Sequence, residues 1–160
     1  MYWPGHWGVS LLLYAPVAFV LLSEAEAPAL ALAGGVGVLS LSRLPDVDFR
    51  LPFVSHRGIT HTLLFALAVG AALGGAVALL AEQVGVGGGL APFAAFVGVY
   101  GIVAHLAADV VTPAGVPLLW PLSRRRYSLG LVRASNGVAN YLLLGAGTFA
   151  VCAAVLTWLR

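Results

Sequence analysis

An apolar helix needs about 17–25 residues to cross the hydrocarbon core of a bilayer. Five stretches of this chain, at about 8–22, 28–44, 59–81, 90–111 and 138–159, approach or meet that length with hardly a charged side chain in them. Hydrophobic residues make up 61% of the sequence and charged ones 9%, against about a quarter charged in soluble domains. The mean hydropathy is +0.98. These runs predict an all-α, polytopic membrane helix bundle of about five transmembrane helices, with residues 1–160 forming a single membrane-embedded domain. The first run has no basic segment before it and is followed by Glu24, Glu26 and a second span, so it reads as a retained helix rather than a secretory signal.

Every basic residue is arginine, and the placement of these residues orients the bundle. Arg43, Arg50, Arg57, Arg124, Arg125, Arg126 and Arg133 fall between the second and third or the fourth and fifth runs, whereas Glu24, Glu26 and Glu82 fall in the other connections. By the positive-inside rule, the protein is expected in the cell membrane as a multi-pass chain, with its N-terminus cytoplasmic and its C-terminus outside. Pro45 closes the second run, and Pro113, Pro117 and Pro121 prevent TPAGVPLLWP from continuing the fourth helix. Gly70 and Gly74 form a small-xxx-small pair for helix packing. The glycines at 84–89 read as a short turn, Trp3, Trp7 and Trp120 as interfacial aromatics, and the lone Cys152 as a packing residue.

A His and an Asp four residues apart, His105 and Asp109, end the fourth run. Positions i and i+4 share a helix face, and a carboxylate left unpaired near hydrocarbon costs several kcal/mol, so a shared divalent cation is the expected partner. The other histidines are His6, His56 and His61, and the remaining acidic residues on the arginine side are Asp46 and Asp48. All seven are expected at the cytoplasmic ends of their helices. Imidazole and carboxylate without thiolate is a zinc, manganese or iron donor set. Zinc is the first expectation, with one to three ions, because seven candidates exceed the three or four ligands of one catalytic zinc. Two ions about 3.5–4 Å apart would suit phosphoester hydrolysis.

The spacing in LPDVDF lets one Asp ligate while the other orients a histidine or acts as a general base. The plainer alternatives are a helix-joining ion pair for His105 and Asp109, an N-cap at Thr60 or His56, caps or Arg50 and Arg57 pairs for Asp46 and Asp48, and a simple interfacial role for His6. Arg57 is a candidate phosphate fork in the catalytic site, and Arg124 to Arg126 a weaker one beside their topological role. Nothing beyond that short run supports nucleic-acid binding. Membrane lipids and a lipid-like or phosphoester substrate are the expected partners.

The combination GHWGVS, LPDVD, HRGITHT and HLAADVVTPAGVPLLWP resembles the YdjM-type family of inner-membrane proteins regarded as metal-dependent hydrolases and described as LexA-binding. The resemblance covers about 1–125. It implies a membrane-embedded hydrolase whose ligands fall on His6, Asp46 or Asp48, His56, His61, His105 and Asp109. A more distant similarity is to zinc-dependent phospholipase C and the related nucleases. Where relatives often carry an acidic residue near the start of the last helix, this chain reads RASNGVANYL, so Asn140 stands as a poorer oxygen ligand or a further ion is held weakly. No residue pattern here carries the LexA-binding label. The leading expectation is hydrolysis of a lipid-linked phosphoester, with His61, His105, Asp109 and Asp46 holding the metal. A transporter or metal-handling protein and a non-catalytic scaffold stapled by metal are the alternatives.

Overall fold

A computed structural model describes residues 1–50, 53, 55–85 and 89–160. Five helices carry the fold: α1 (Trp3–Ser23), α2 (Pro28–Leu41), α3 (Leu63–Val84), α4 (Leu90–Val110) and α5 (Gly137–Trp158). Two 3₁₀ segments, Pro45–Arg50 and Ile59–His61, lie between α2 and α3. Among the described residues there is no β-strand, only an isolated bridge between Val116 and Tyr127. Helices of 21 or 22 residues are about 32 Å long at 1.5 Å per residue, enough to cross a bilayer. α2, with 14 residues, is not. Its span is completed by the linker and 3₁₀ segment as far as Arg50.

The helix boundaries depart from the apolar runs for local reasons. α1 starts at Trp3 rather than near residue 8, because Pro4 sits in its first turn, where a missing N–H costs nothing. α2 stops at Leu41 rather than 44, since the residue before Pro45 is pushed away from helical torsions. α3 begins at Leu63 rather than 59. Its N-cap is Thr62, whose hydroxyl accepts the Phe65 N–H, and not Thr60 or His56. Gly85 ends α3 in the left-handed conformation, as a C-cap glycine does. The rest of the glycine-rich turn, 86–88, lies outside the described residues.

α1 packs chiefly on α5 and α3 chiefly on α4, while α2 bridges α1 and α4. Two close approaches need glycine. A Cβ on Gly8 would strike the α5 backbone at Leu143 and Leu144, and Gly70 and Gly74 lie against Ala95 and Val99 of α4. Tyr14, Ala18, Val38 and Val97 form one apolar core; Ala66, Ile102 and Leu106 form another. α3 and α5 are mostly exposed along their apolar lengths, as outer helices facing lipid would be.

The start of α1, the end of α2, the start of α3, the end of α4 and the start of α5 share one end of the bundle. There the chain after α4 folds back on itself: Leu129 and Leu131 donate N–H groups to Val110 and Val111, and Leu63 donates to Leu118. The three prolines keep this segment irregular, and its backbone is satisfied by neighbours instead of by a helix.

Candidate metal centre

All seven imidazole and carboxylate residues singled out in the sequence meet at that end, in three overlapping groups: His6, His105 and Asp109; Asp46, His61 and His105; Asp48, His56 and His61. Their roles divide once individual atoms are followed.

Four donor atoms form the centre. His105 Nε2 lies 3.1 Å from His61 Nε2, 3.5 Å from Asp109 Oδ2 and 3.7 Å from Asp46 Oδ1. His61 Nε2 lies 3.5 Å from Asp46 Oδ1 and 3.6 Å from Asp109 Oδ2. A tetrahedral zinc with bonds of about 2.0–2.1 Å holds its ligand atoms about 3.3 Å apart. These five edges scatter around that value.

The protonation of the two imidazoles follows from their outer nitrogens. α2 ends early, so the Ser42 carbonyl is freed from the helical ladder and accepts the His105 Nδ1–H at 2.7 Å. On His61, Nδ1 lies 3.0 Å from Thr60 Oγ1, and that hydroxyl donates its own proton to Asp48 Oδ2 at 2.9 Å. The hydroxyl can therefore only accept from His61, and Nδ1 carries the hydrogen. Both Nε2 atoms are left as bare lone pairs. Burial also pushes the His61 imidazole below its ordinary range, against the opposing pull of Asp46, which keeps it neutral. Two lone pairs and two carboxylate oxygens thus face one another with no hydrogen between them. Asp109 Oδ2 is buried and has no hydrogen-bond partner among the described residues. A cation satisfies such a set, and the donor types fit zinc.

Around these four atoms is a supporting layer. Asp48, fully buried, accepts from the His56 ring at 2.9 Å, the Arg57 backbone N–H at 3.0 Å and Thr60. It is engaged on both oxygens, so it serves as an anchor for the His61 loop and is not disposed as the general base the sequence allowed. His56 accordingly stands one step outside the centre, half-exposed and stacked on Phe49 with ring centroids 3.7 Å apart. Arg57 takes a left-handed φ of 58°, a conformation a non-glycine residue keeps only when its surroundings impose it.

The Arg57 guanidinium donates to Asp109 Oδ1 at 2.5 Å and to Thr112 Oγ1 at 3.2 Å. Its fork is engaged inside the protein, and it leaves only Oδ2 of Asp109 turned to the centre. The Met1 amino group lies 3.1 Å from the same Oδ1. His6 is buried and stacked on His105 at 4.0 Å with parallel rings, its Nε2 3.7 Å from Asp109 Oδ1. Neither of its ring nitrogens has a hydrogen-bond partner among the described residues.

Asn140 uses its amide nitrogen on the Ala134 and Asn136 carbonyls and turns Oδ1 toward Gly5, while Asn136 caps α5. Asn136 and Asn140 therefore fix the α5 start against α1. The sequence reading passed over Ser42, which contributes only a backbone carbonyl, and offered Thr60 only as an alternative N-cap. The signal for Thr60 was its position directly before His61.

Three of the four central side chains have no solvent exposure; the exception is Asp46, about a third exposed. A cleft of about 440 Å³ reaches it, lined by Trp3, His6, Arg43, Asp46, Phe49 and Arg50 among others. A second cavity of about 520 Å³ opens beyond His56 and Arg57, toward Trp120 and Arg126. There the Arg126 donors are held by the Ala114 and Gly115 carbonyls.

The family model for YdjM inner membrane protein matches residues 1–159. The proteins named Inner membrane protein YdjM from Escherichia coli (strain K12) and from Shigella flexneri are each 36% identical over 109 residues, covering 59% of this chain and 52% of the relative. The chain thus spans about half the length of the curated relatives it matches. No solved structure matches.

Proposed function

The chain belongs to the YdjM inner membrane protein family, and from that premise and the four facing acceptors at the bundle end we propose that it is a membrane-embedded metal-dependent hydrolase acting on a phosphoester of a lipid or lipid-linked molecule at the cytoplasmic face. The observation that carries this reading is the meeting of His61 Nε2, His105 Nε2, Asp46 Oδ1 and Asp109 Oδ2, all acceptors, at 3.1–3.7 Å. These four would hold one divalent ion, zinc first. Arg57 occupies the other oxygen of Asp109, and donors occupy both oxygens of Asp48, which argues for a single ion over the two or three that seven candidates would permit. When bound, the ion supplies Lewis-acid polarisation of a phosphoryl oxygen and makes water acidic enough to attack at neutral pH.

The protein's own groups do the rest. The Ser42 carbonyl and the Thr60–Asp48 relay hold each imidazole with Nε2 inward, Arg57 fixes the rotamer of Asp109, and the buried α4 segment excludes bulk water from three of the four ligands. Asp46, exposed along its cleft, is the side from which a substrate approaches. Four protein ligands would fill a tetrahedral zinc shell, so turnover would need the ion to expand to five-coordination or Asp46, the one ligand exposed to the cleft, to give up its place; that exposure is what favours a catalytic centre over a scaffold stapled by metal. The seven arginines of the two loops belong to the same end of the bundle as the centre, which under the positive-inside rule supports a cytoplasmic placement.

The test is hydrolysis by the purified protein in detergent of a panel holding a phosphatidate, an isoprenyl diphosphate and a phosphodiester lipid. Release of phosphate or headgroup from at least one, lost on chelation and restored by zinc, is the expected result. Protein that carries its metal and cleaves nothing in the panel, or cleavage indifferent to chelation, overturns the reading.

A further inference from the structure

The cleft over Asp46 has a composition the metal centre alone does not explain. Its floor is Asp46 and His6, and His6 is 3% exposed with both ring nitrogens lacking a partner. Whichever nitrogen carries the proton is a buried donor with no acceptor at hydrogen-bonding distance among the described residues, Asp109 Oδ1 being 3.7 Å from Nε2, a costly state unless a ligand supplies one. At the mouth stand Arg43 and Arg50, three residues before and four after Asp46, both exposed. Among the described residues, neither guanidinium makes a hydrogen bond or ion pair with the protein, in contrast to Arg57 and Arg126, whose donors are engaged internally. Trp3 and Phe49, 54% and 68% exposed, form the apolar rim beside them.

We propose that this cleft is a phosphate-binding site in which Arg43 and Arg50 clamp the anion at the mouth and His6 donates to it at the floor. Guanidinium forks match phosphate oxygens two at a time, and the Trp3 and Phe49 rim suits a phosphate borne on an amphiphile. The inference rests on the proposed metal centre for its catalytic meaning, since it seats the phosphate next to Asp46. Its binding claim stands separately. It assigns the anion to Arg43, which the sequence offered as a topological charge, and to Arg50, which it offered also as a carboxylate partner, and withdraws it from Arg57.

The experiment is titration calorimetry of the full-length protein in detergent with two probes, inorganic phosphate and dihexanoyl phosphatidate, with metal content measured on the same samples. The double variant Arg43→Gln/Arg50→Gln should bind both probes about a hundredfold more weakly, as expected for losing two charge-assisted contacts. Its metal content and thermal unfolding should match the parent, and Arg133→Gln should bind as the parent does. Tighter binding of the phosphatidate than of inorganic phosphate, with the excess removed by Trp3→Ala, identifies a lipid headgroup as the natural source. Equal binding identifies free phosphate, and either result supports the clamp. Undiminished binding in the double variant, or no binding of either probe by the parent, overturns it. A parent that binds phosphate but holds no metal overturns the metal centre and leaves the clamp standing.

Discussion

Asp109→Asn should give a folded protein that binds no metal and shows hydrolysis at background, and Asp109→Ala a protein that barely folds. The two differ because the two oxygens of Asp109 have separate tasks. Oδ1 accepts from the buried Arg57 guanidinium, and Oδ2 faces the two imidazole lone pairs. Asparagine keeps an oxygen for Arg57 and turns an NH₂ toward His61 and His105, whose lone pairs then find donors where a cation would sit. Alanine leaves a guanidinium only 8% exposed without its partner, and breaking a buried pair from one side costs about 3–5 kcal/mol. Elemental analysis and thermal unfolding of both variants check this. Asparagine protein with parental metal content, or alanine protein as stable as the parent, would contradict the assigned division.

The second large effect is expected at the Thr60–Asp48 relay. Asp48→Ala removes the acceptor for the His56 ring, the Arg57 N–H and the Thr60 hydroxyl at once. Buried donors left without partners cost about 1–3 kcal/mol each, so the loop carrying His61 should lose its fixed conformation and metal affinity with it. Thr60→Val is the finer probe, because valine keeps the shape and deletes only the hydroxyl between His61 Nδ1 and Asp48. Support of this kind behind a ligand histidine is worth about 10–100-fold in metal affinity. We expect a loss in that range for Thr60→Val with little change in the unfolding of metal-free protein, and recovery in Thr60→Ser. A Thr60→Val protein with parental zinc affinity would remove the relay from the account.

How much of this could be read from the sequence differs from residue to residue. His105 and Asp109 were legible as a pair, because helical periodicity alone places i and i+4 together, and their apolar surroundings demanded a partner. The convergence of His6, Asp46 and His61 on the same end followed from counting spans and arginines. What could not be read was the division of labour between near neighbours. Asp46 and Asp48 are two residues apart in a 3₁₀ segment, where a turn is about three residues. They therefore point to different sides, Asp46 to the Nε2 atoms of His61 and His105 and Asp48 to the loop that carries His61. Likewise Arg57 was legible as a guanidinium between two histidines, but its left-handed backbone, which directs the side chain inward, follows from the Asp48 contacts. The helix ends were misplaced by a few residues wherever a proline or a threonine cap outweighed hydrophobicity. One of those differences mattered, since the early end of α2 frees the carbonyl that orients His105.

The most direct test is the zinc K-edge X-ray absorption spectrum of the purified protein given one equivalent of zinc. The account predicts stoichiometric binding with a shell of nitrogen and oxygen at about 2.0–2.1 Å and two imidazoles in the outer scattering, one of which is lost in His105→Ala. Substoichiometric zinc, sulfur in the shell, or an imidazole count unchanged in His105→Ala would contradict it.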